Sequence, residues 1–535
     1  MKAAAATTAR TTVLSLSFVD QFAVSRVAAT ASFIVAVMAL AFGLRAAALS
    51  TYGFSEDEIN KVRAIEQYRH GALSANAEHP MLMKLAMLTS VDATRGLGVP
   101  IETAVRLPNA VVGAATTGVL FAAAQLLFGT PVAVMAALFW AFDVNAIAIN
   151  RIGKEDTFAL FFFLLAVWCY ERAKRQGASD PAGAQRWYGG SGVSFGLMLA
   201  SKYFPWYLGV YALFNVLADR NPGANRPDKV RYYGAMVTAF LLANVAVLEP
   251  ATWHYVTGYV QGATLVHHGY PFAGRLYANS SVLSSGGIPA TFYLRMLATK
   301  VPLVVLGAIV PGVVETIRRR RERGFVLLSM WLALFLVGYS IASVKFLRYA
   351  LPLFAASDLL AAIGVVAGAQ WLLRKSWLSP LTRVTVAAVA LTAFVFEPFL
   401  AQHAAAPFFS TSRNALGERL APAGTTFPEE MYDFGVREAA AAIAEAAEPD
   451  AVVVSDAPGV VAYYLEHSGR TDLRVRSLSG EGMPRGDTVA FVIVLPEHLT
   501  FENQDLVAQL THTTPWQEYY AGDALAAQVF RVHRS

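Results

Sequence analysis

Charged residues are scarce in this chain: Asp, Glu, Lys and Arg make up 15% of its 535 residues, whereas 55% of the residues are hydrophobic. A soluble protein usually carries about 25% charged residues, so the composition excludes an ordinary water-soluble fold. The hydrophobic residues are concentrated in runs such as 33–44, 304–314 and 325–341. A helix that crosses the hydrocarbon core needs about 20 mostly apolar residues. We therefore predict an α-helical polytopic membrane protein.

Cysteine is almost absent. The single residue, Cys169, lies in an apolar run, so one chain forms neither an internal disulfide nor a zinc site built on several cysteines. The net charge of +5 does not indicate a nucleic-acid partner, because the basic residues form short clusters between apolar runs and not a basic domain with interleaved aromatics. The positive-inside rule explains the surplus.

Eleven membrane spans are predicted from the apolar runs. They lie at 27–49, 107–128, 131–149, 157–170, 187–200, 203–217, 232–248, 293–314, 324–341, 349–373 and 384–396. With a cytoplasmic amino terminus, nineteen Lys and Arg residues fall in the cytoplasmic tail and loops and five in the short external turns, as the positive-inside rule requires. We expect a multi-pass protein of the plasma (inner) membrane. The first run is longer than a signal-peptide core, which favours a signal anchor over a cleaved signal.

The composition changes past residue 397. Charged residues return, and strand-like runs such as 451–455 and 489–495 alternate with helix-like segments such as 458–467. This alternation is typical of a small α/β domain. We divide the chain into a membrane domain (1–397) and an α/β domain (398–535), and an odd number of spans places the second domain outside the cytoplasm.

The segments 54–71 and 77–85 follow the first predicted span on its external side. They place Asp57, Glu58 and Glu78 near the membrane surface, together with His79 and Lys84. A carboxylate at that depth can accept a proton from an acceptor hydroxyl, as a general base does. A solvated acidic patch is the alternative interpretation of these residues alone.

Several short motifs occur in a fixed order along the membrane part. They are Asp57-Glu58, Glu78-His79-Pro80 with Leu82 and Lys84, Arg106-Leu107-Pro108, Arg151 with Asp156, GLMLASKY (196–203) and KFLRYALPL (345–353). Over about residues 30–360 the chain resembles the GT-C glycosyltransferases, specifically the protein O-mannosyltransferase and aminoarabinose transferase branch of family 39. The resemblance implies the GT-C fold and a polyprenyl-phosphate-linked sugar as donor.

The resemblance also implies roles for three acids. Asp57 corresponds to the catalytic base, Glu58 lies beside it, and Asp156 occupies the turn between the third and fourth spans, where a second external acid is expected. For Asp156 the alternative is a structural acid at a helix N-terminus, which the helix dipole favours.

Three basic residues lie at external span ends, against the positive-inside trend: Lys202, Lys345 and Arg348. We predict that they contact the lipid phosphate, Arg348 in fork geometry and the lysines as point charges, with Tyr349 beside them as a further substrate-binding residue. Snorkelling to the interface is the alternative. Glu78, His79 and Lys84 are placed in the same substrate-binding group.

A histidine pair, His267-His268, lies in the long segment 249–290. It is predicted to help bind the acceptor. One of these histidines could instead join Glu78 around a divalent ion, since histidine with carboxylate suits zinc, but the spacing does not support a metal and we assign no metal ligands or certain cofactor.

The sequence thus predicts a membrane glycosyltransferase that moves a sugar from a polyprenyl-phosphate donor to a protein, lipid or glycan acceptor outside the cytoplasm. Inversion at the anomeric carbon and an Asp57 base are expected. A transporter or lipid flippase is the alternative. It predicts ionisable residues near the midplane of several spans and repeated halves, and neither pattern is evident.

Overall fold

The structure is a computed structural model that describes residues 28–203, 206–218, 225–260, 267–279, 287–342, 345–420, 427–483 and 489–533. The helices of the first part of the chain are α1 (Ala28–Ala46), α2 (Glu56–Arg69), α3 (Leu82–Thr94), α4 (Ile101–Phe128), α5 (Thr130–Phe142), α6 (Val144–Asn150), α7 (Asp156–Gln176), α8 (Pro181–Ser201), α9 (Trp206–Ala218), α10 (Lys229–Ala243), α11 (Pro250–Val260), α12 (Phe292–Lys300), α13 (Leu303–Arg318), α14 (Arg323–Ile341), α15 (Leu351–Leu373) and α16 (Pro380–Ala405). Strands β1 (His267–Phe272) and β2 (Arg275–Asn279) form an antiparallel hairpin.

Each predicted span coincides with one of these helices or with a pair of them. By length and apolar composition, five helices of the described residues can cross a membrane, or seven if each of two bent pairs is one span. These five are α1, α4, α14, α15 with the helical turn before it, and α16. The chain is a polytopic helical protein as predicted, while the count of eleven stays a prediction.

The predicted span 293–314 is wrong as a single straight helix. It consists of α12 and α13, which meet at an angle of 120°. Pro302 is the cause: it disfavours helical geometry at the preceding residue, and Val301 is extended, with φ −78° and ψ 133°. A smaller bend of 59° separates α5 from α6, where Asp143 caps α6 by accepting the N–H of Asn145 at 2.9 Å.

Helix α15 lies at the centre of the helical part and α16 at its periphery. All of α15 from Leu351 to Val365 is buried. In contrast, only 6% of the most apolar 18-residue stretch of α16 is buried. Glycines let α13 and α15 approach closely: a Cβ on Gly312 would lie 2.0 Å from the Leu360 carbonyl oxygen, and one on Gly364 would lie 1.9 Å from that of Ala308. The turn Leu347–Ala350 leads directly into this buried helix.

The carboxyl-terminal part contains a mixed five-stranded sheet. Its strands are β3 (Val452–Ser455), β4 (Arg474–Arg476), β5 (Val489–Val494), β6 (Gln517–Ala521) and β7 (Ala524–His533), in the order β4-β3-β5-β7-β6. Its helices are α17 (Ala415–Leu420), α18 (Val436–Ala446), α19 (Pro458–His467) and α20 (Gln504–Thr511).

Strands β4, β3 and β5 run parallel to one another, while β7 pairs antiparallel with both β5 and β6. The strands predicted at 451–455 and 489–495 and the helix predicted at 458–467 are present, and α18 and β6 had not been predicted. Helix α16 runs to Ala405, past the boundary placed at residue 397. The division into two domains stays a prediction.

Candidate active site

A cavity of about 1580 Å³ lies where α2, α8, α10 and α11 meet the loops of the carboxyl-terminal sheet. It brings together six of the twelve site residues that the sequence singled out. Those lining it are Asp57, Glu78, His79, Lys202, Arg348 and Tyr349. They come from four separate stretches of the chain, so only the fold makes them neighbours.

Asp57 lies in the first turn of α2, where Ser55 caps the helix in a capping box with Glu58. Its side chain is 33% exposed, and its carboxylate forms an ion pair with the ammonium of Lys154. The Arg348 guanidinium lies 3.8 Å from the same carboxylate oxygen. Asp57 is therefore accessible from the cavity and is held by two cations.

Asp156, predicted in the turn before the fourth span, is the first residue of α7 and is buried beside the cations. Its carboxylate accepts a hydrogen bond from the Lys202 ammonium at 2.5 Å, and Arg348 Nε lies 3.7 Å away. The Lys202 ammonium also lies 4.5 Å from the ring centroid of Tyr349. An acid at a helix N-terminus is stabilised by the dipole, so here the structural and the site interpretation of Asp156 are compatible.

Lys154 and Glu155, which immediately precede Asp156, are both buried. Burial lowers the pKa of Lys154 well below its usual value, and the nearby Arg348 acts in the same direction. Burial alone would raise the pKa of Glu155, but His79 and Lys61 lower it overall; Glu155 lies 3.2 Å from the Lys61 ammonium and 3.7 Å from His79 Nδ1. Lys154 was not among the predicted site residues, although its place two residues before Asp156 was a usable signal.

Glu58, predicted to share the catalytic role of Asp57, does not reach the cavity. It is fully buried, and its carboxylate accepts hydrogen bonds from Arg106 Nε at 2.8 Å, Arg106 Nη2 at 2.7 Å and the Gly153 N–H at 2.8 Å. Burial opposes its charge, yet Arg106 lowers the pKa of Glu58 overall. Adjacent residues on a helix point about 100° apart, so Glu58 anchors α2 against α4 while Asp57 faces the cavity.

Glu78 and His79 line the cavity, but Lys84 does not. Glu78 accepts hydrogen bonds from Tyr255 at 2.8 Å and Asn76 at 2.7 Å. The Lys84 ammonium is buried and donates to the backbone carbonyls of Asn76 at 2.7 Å and His79 at 2.9 Å. Lys84 therefore shapes the loop that carries Glu78 and His79, which corrects its predicted role as a substrate contact.

Lys345 also lies away from the cavity lining. Its ammonium donates to the backbone carbonyl of Ile288 at 2.8 Å and to that of Ala342. His267 and His268 begin β1, but their side chains lie outside the described part of the structure, and so does the proposed metal contact to Glu78. The predictions for these two histidines are not tested.

Residues of the carboxyl-terminal part complete the site, and none had been predicted. Glu429 forms an ion pair with Arg348, and its carboxylate lies 3.9 Å from the Lys154 ammonium. Asp433 accepts the backbone N–H of Glu56 at 2.7 Å and lies 2.6 Å from His498 Nε2. No local motif marked these acids, because they lie more than 370 residues after α2 and meet it only through the fold.

One group of potential metal ligands occurs in the described residues, formed by Asp433, Glu497 and His498. Its members already have partners. Glu497 accepts the backbone N–H groups of Met431 and Asp433, each at 3.0 Å, and the His498 ring nitrogens contact Asp433 and the Asp456 carbonyl, the latter at 3.1 Å. Burial lowers the pKa of His498 but Asp433 raises it to about 10 overall. The arrangement is better described as a protonated histidine between carboxylates than as a metal site.

The wall opposite these charges is apolar. It is lined by Leu199, Val237, Phe240, Leu241, Val247, Leu248, Trp253 and Val256 of α8, α10, α11 and the segment between α10 and α11. Val237 is 50% exposed, Leu248 70% and Trp253 55%. The cavity therefore joins a charged end, which contains Asp57 and Arg348, to an apolar surface on the outside of the helices.

Comparison with known proteins agrees with this architecture. Residues 94–248 match the family model described as dolichyl-phosphate-mannose-protein mannosyltransferase, which covers less than half of the chain. A sequence comparison finds no matching curated protein.

Three solved structures illustrate the similarity. ArnT from Cupriavidus metallidurans in the apo state aligns with TM-score 0.54 and 14% identity, and ArnT bound to undecaprenyl phosphate with 0.51 and 15%; each alignment covers 94% of this chain and 98% of ArnT. The Archaeoglobus fulgidus oligosaccharyltransferase tethered to an acceptor peptide aligns with TM-score 0.53 and 13% identity, over 83% of this chain and 63% of that one.

The chain therefore has the fold of the GT-C membrane glycosyltransferases. The resemblance to the protein O-mannosyltransferase and aminoarabinose transferase branch, first apparent from the motifs, is confirmed by the matching family model and by ArnT.

Proposed function

We propose that this protein transfers a sugar from a polyprenyl-phosphate donor to an acceptor on the extracytoplasmic face of the plasma membrane, with inversion at the anomeric carbon and Asp57 as general base. One observation carries the proposal: an accessible carboxylate and a cluster of cations share a cavity with an apolar wall. Those three elements are what a carrier with an anionic head and a hydrocarbon tail requires. The proposed orientation has the amino terminus in the cytoplasm, as the positive-inside count predicts.

The donor phosphate fits the charged end of the cavity. Arg348, Lys154 and Lys202 supply the positive charge there, and Arg348 can bind two phosphate oxygens in fork geometry. The polyprenyl tail fits the apolar wall, where Val237, Leu248 and Trp253 are exposed. The ArnT structure with undecaprenyl phosphate supports a lipid phosphate as ligand of this fold.

The chemistry follows from the position of Asp57. Its carboxylate takes the proton of the acceptor hydroxyl while the acceptor oxygen attacks the anomeric carbon. The bond from that carbon to the phosphate oxygen breaks, and the polyprenyl phosphate leaves with the bonding electrons. Arg348 and Lys154 stabilise the negative charge on the leaving phosphate. A single displacement of this kind inverts the configuration of the sugar.

Glu429 occupies part of the positive site. Because its carboxylate pairs with Arg348 and approaches Lys154, it competes with a phosphate for the same cations. Binding of the donor therefore requires Glu429 to move away. Glu429 lies outside every helix and strand of the described residues, so no regular backbone hydrogen-bond ladder has to break for its side chain to move.

The experiment uses the full chain purified into lipid nanodiscs and supplied with polyprenyl-phosphate sugars and a panel of acceptors. We expect sugar transfer by the wild type and a loss of about 10² to 10⁴ in rate for Asp57→Asn, the usual contribution of a positioned general base. Glu66→Gln is the matched control, because Glu66 lies on the same helix with a side chain 58% exposed. Normal transfer by Asp57→Asn would remove the assigned base. Absence of transfer from every donor, with lipid movement across the bilayer, would support a flippase.

A further inference from the structure

The carboxyl ends of the three parallel strands of the sheet open into the cavity that contains Asp57. Strand β3 is followed by Asp456, β4 by Ser477 and Ser479, and β5 by His498 and Thr500; all line the cavity. The chain passes from β3 to β4 on one side and then returns to β5 on the other. In open α/β sheets, ligands bind outside the carboxyl ends of the strands at such a switch point.

Asp456 organises this edge of the sheet. Its carboxylate accepts hydrogen bonds from Ser477 Oγ at 3.1 Å, the Ser479 N–H at 2.7 Å, Ser479 Oγ at 2.9 Å and Asn503 Nδ2 at 2.6 Å. A hydroxyl that donates its proton keeps its lone pairs as acceptors. Ser477 Oγ also accepts the Gly480 N–H at 3.0 Å and Ser479 Oγ contacts Thr500 Oγ1 at 2.8 Å, so these fixed hydroxyls keep part of their acceptor capacity.

Several hydrogen-bond donors of the same loops already have partners within the described residues. The Thr500 N–H donates to Asn503 Oδ1 at 2.8 Å, the Gly480 N–H to Ser477 Oγ at 3.0 Å, and the second Asn503 amide hydrogen serves the His498 carbonyl at 2.9 Å. The edge is therefore rich in acceptors and poor in donors. A polyol, whose every hydroxyl can donate, fits such a wall, whereas a peptide backbone needs donors and acceptors in equal number.

The charge of this wall is negative. Glu56, Asp433, Asp456 and Glu497 line the cavity here, and His498 is the one basic residue among the described sheet-loop residues that line it. The Lys154 ammonium also acts on the Glu56 and Asp433 carboxylates. Burial and the Asp433 carboxylate raise the pKa of Glu497 to about 7, which is the response expected of an acid among acids. An anionic acceptor is repelled from such a surface.

We propose that the carboxyl edge of the β4-β3-β5 sheet is the acceptor-binding half of the site and that the acceptor is a neutral, hydroxyl-rich carbohydrate. This inference rests on the proposed transferase function and names the acceptor class that function leaves open. The edge is within reach of the base, because Asp433 contacts both His498 at 2.6 Å and the Glu56 N–H at 2.7 Å. A glycan held there presents a hydroxyl toward the residue after Glu56, which is Asp57.

Two measurements on the nanodisc-embedded full chain test this. Saturation-transfer NMR is recorded with neutral hexasaccharides of glucose, mannose, galactose, xylose or arabinose, with a neutral Ser/Thr peptide, and with a basic peptide. Transfer is then measured from polyprenyl-phosphate sugars to the same compounds. The variants are Ser479→Ala with Thr500→Val, the conservative Ser479→Thr, and Thr511→Val on exposed α20 as control.

We expect at least one hexasaccharide to bind and to accept sugar, with the acceptor KM raised about tenfold in the double variant, kcat and binding of polyprenyl phosphate little changed, and Ser479→Thr close to wild type. Transfer to either peptide but to no hexasaccharide would overturn the carbohydrate acceptor while leaving the transferase intact. An unchanged acceptor KM in the double variant would overturn the assignment of the sheet edge. Failure of the wild type to bind polyprenyl phosphate at all would instead reject the underlying transferase function.

Discussion

Two clusters of charge lie side by side at the start of α2 and differ in how completely they are paired. In the first, which we name the anchor, Glu58 and Arg106 are fully buried; Arg106 contacts both Glu58 oxygens and donates to the carbonyls of Leu49, Tyr52 and Gly53. In the second, the phosphate cluster, Asp57, Lys154, Arg348 and Glu429 line a cavity.

This difference in pairing distinguishes a cluster that supports the fold from a cluster that can bind a ligand. A buried pair whose hydrogen bonds are all satisfied cannot exchange partners without a large penalty, so the anchor holds α2 and α4 in place. The phosphate cluster has two carboxylates around the Arg348 guanidinium, and a phosphate can replace one of them. Neighbouring acids in the sequence thus lie in opposite environments, one exposed to the cavity and one buried.

The largest expected effect is on the transfer rate, when the charge of one of the two neighbouring acids is removed. Asp57→Asn should lower the transfer rate by about 10² to 10⁴ and leave the unfolding temperature close to wild type, because Asp57 is partly exposed. The readout is transfer rate together with thermal unfolding in nanodiscs. If Glu58→Gln lowered kcat as much without loss of stability, the distinction between the two clusters would be wrong.

The second effect is on stability. Arg106→Met should destabilise the protein by about 3 to 5 kcal/mol, because removal of one partner leaves the Glu58 carboxylate buried and unpaired. Thermal unfolding followed by tryptophan fluorescence measures the loss. Arg106→Lys keeps the positive charge but loses the two-pronged guanidinium contact, so we expect an intermediate loss of stability. An Arg106→Met protein as stable as the wild type would show that the pair is not an anchor.

The third effect is on donor affinity. Arg348→Lys should weaken the binding of polyprenyl phosphate by about tenfold, since a hydrogen bond to a charged group contributes about 1.5 to 3 kcal/mol. Equilibrium binding of labelled polyprenyl phosphate measures it. Arg374→Lys, at the end of α15 remote from the cavity lining, is the control, and equal affinities of the two variants would exclude Arg348 from the phosphate site.

The fourth effect has the opposite sign. Glu429→Gln removes the competing carboxylate and should strengthen polyprenyl phosphate binding about two- to fivefold, because a partly exposed ion pair contributes about 0.2 to 1 kcal/mol. The same binding measurement applies. Glu418→Gln, on α17, should leave the affinity unchanged. Weaker binding by Glu429→Gln would mean that this residue supports the donor and does not compete with it.

The smallest expected effect is the pH dependence of local stability around the pair of His498 and Asp433. The pKa of His498 is raised to about 10 in the folded protein from about 6.5 in an unfolded chain, so its pairing with Asp433 contributes fully below about pH 6.5 and is lost as the pH rises through about 10. Hydrogen exchange of residues 56–58 and 429–435, corrected for the intrinsic rate, should increase over that range. His498→Gln should abolish the pH dependence, and an identical profile in the variant would rule out this histidine.

Much of the fold could be predicted. Apolar runs located the helices because a bilayer-facing helix leaves a continuous signal of about 20 residues, and the strands β3 and β5 were recognised from their alternation with helices. The bend at Val301 and the extent of α16 were not, because helix ends depend on local turns and on tertiary packing.

The candidate site was predicted in part. Asp57, Asp156, Lys202 and Arg348 were selected and the structure brings them together. Glu58, Lys84 and Lys345 were selected equally well but point elsewhere, since residue type and depth do not specify the direction of a side chain. Glu429 and the sheet edge at Asp456 could not be predicted, because contacts across hundreds of residues leave no local pattern.

The sequence by itself determined that this chain is a membrane protein. It also determined which residue types lie near the membrane surface and where a separate α/β pattern begins. Hydrophobic run length and strand periodicity are local properties, and so they can be read from the sequence. Only the tertiary structure decided which of two adjacent acids meets the cations and which is sealed behind Arg106, and that the edge of a distant sheet closes the same cavity. Those outcomes depend on helix rotation and long-range packing, in which every element takes part at once.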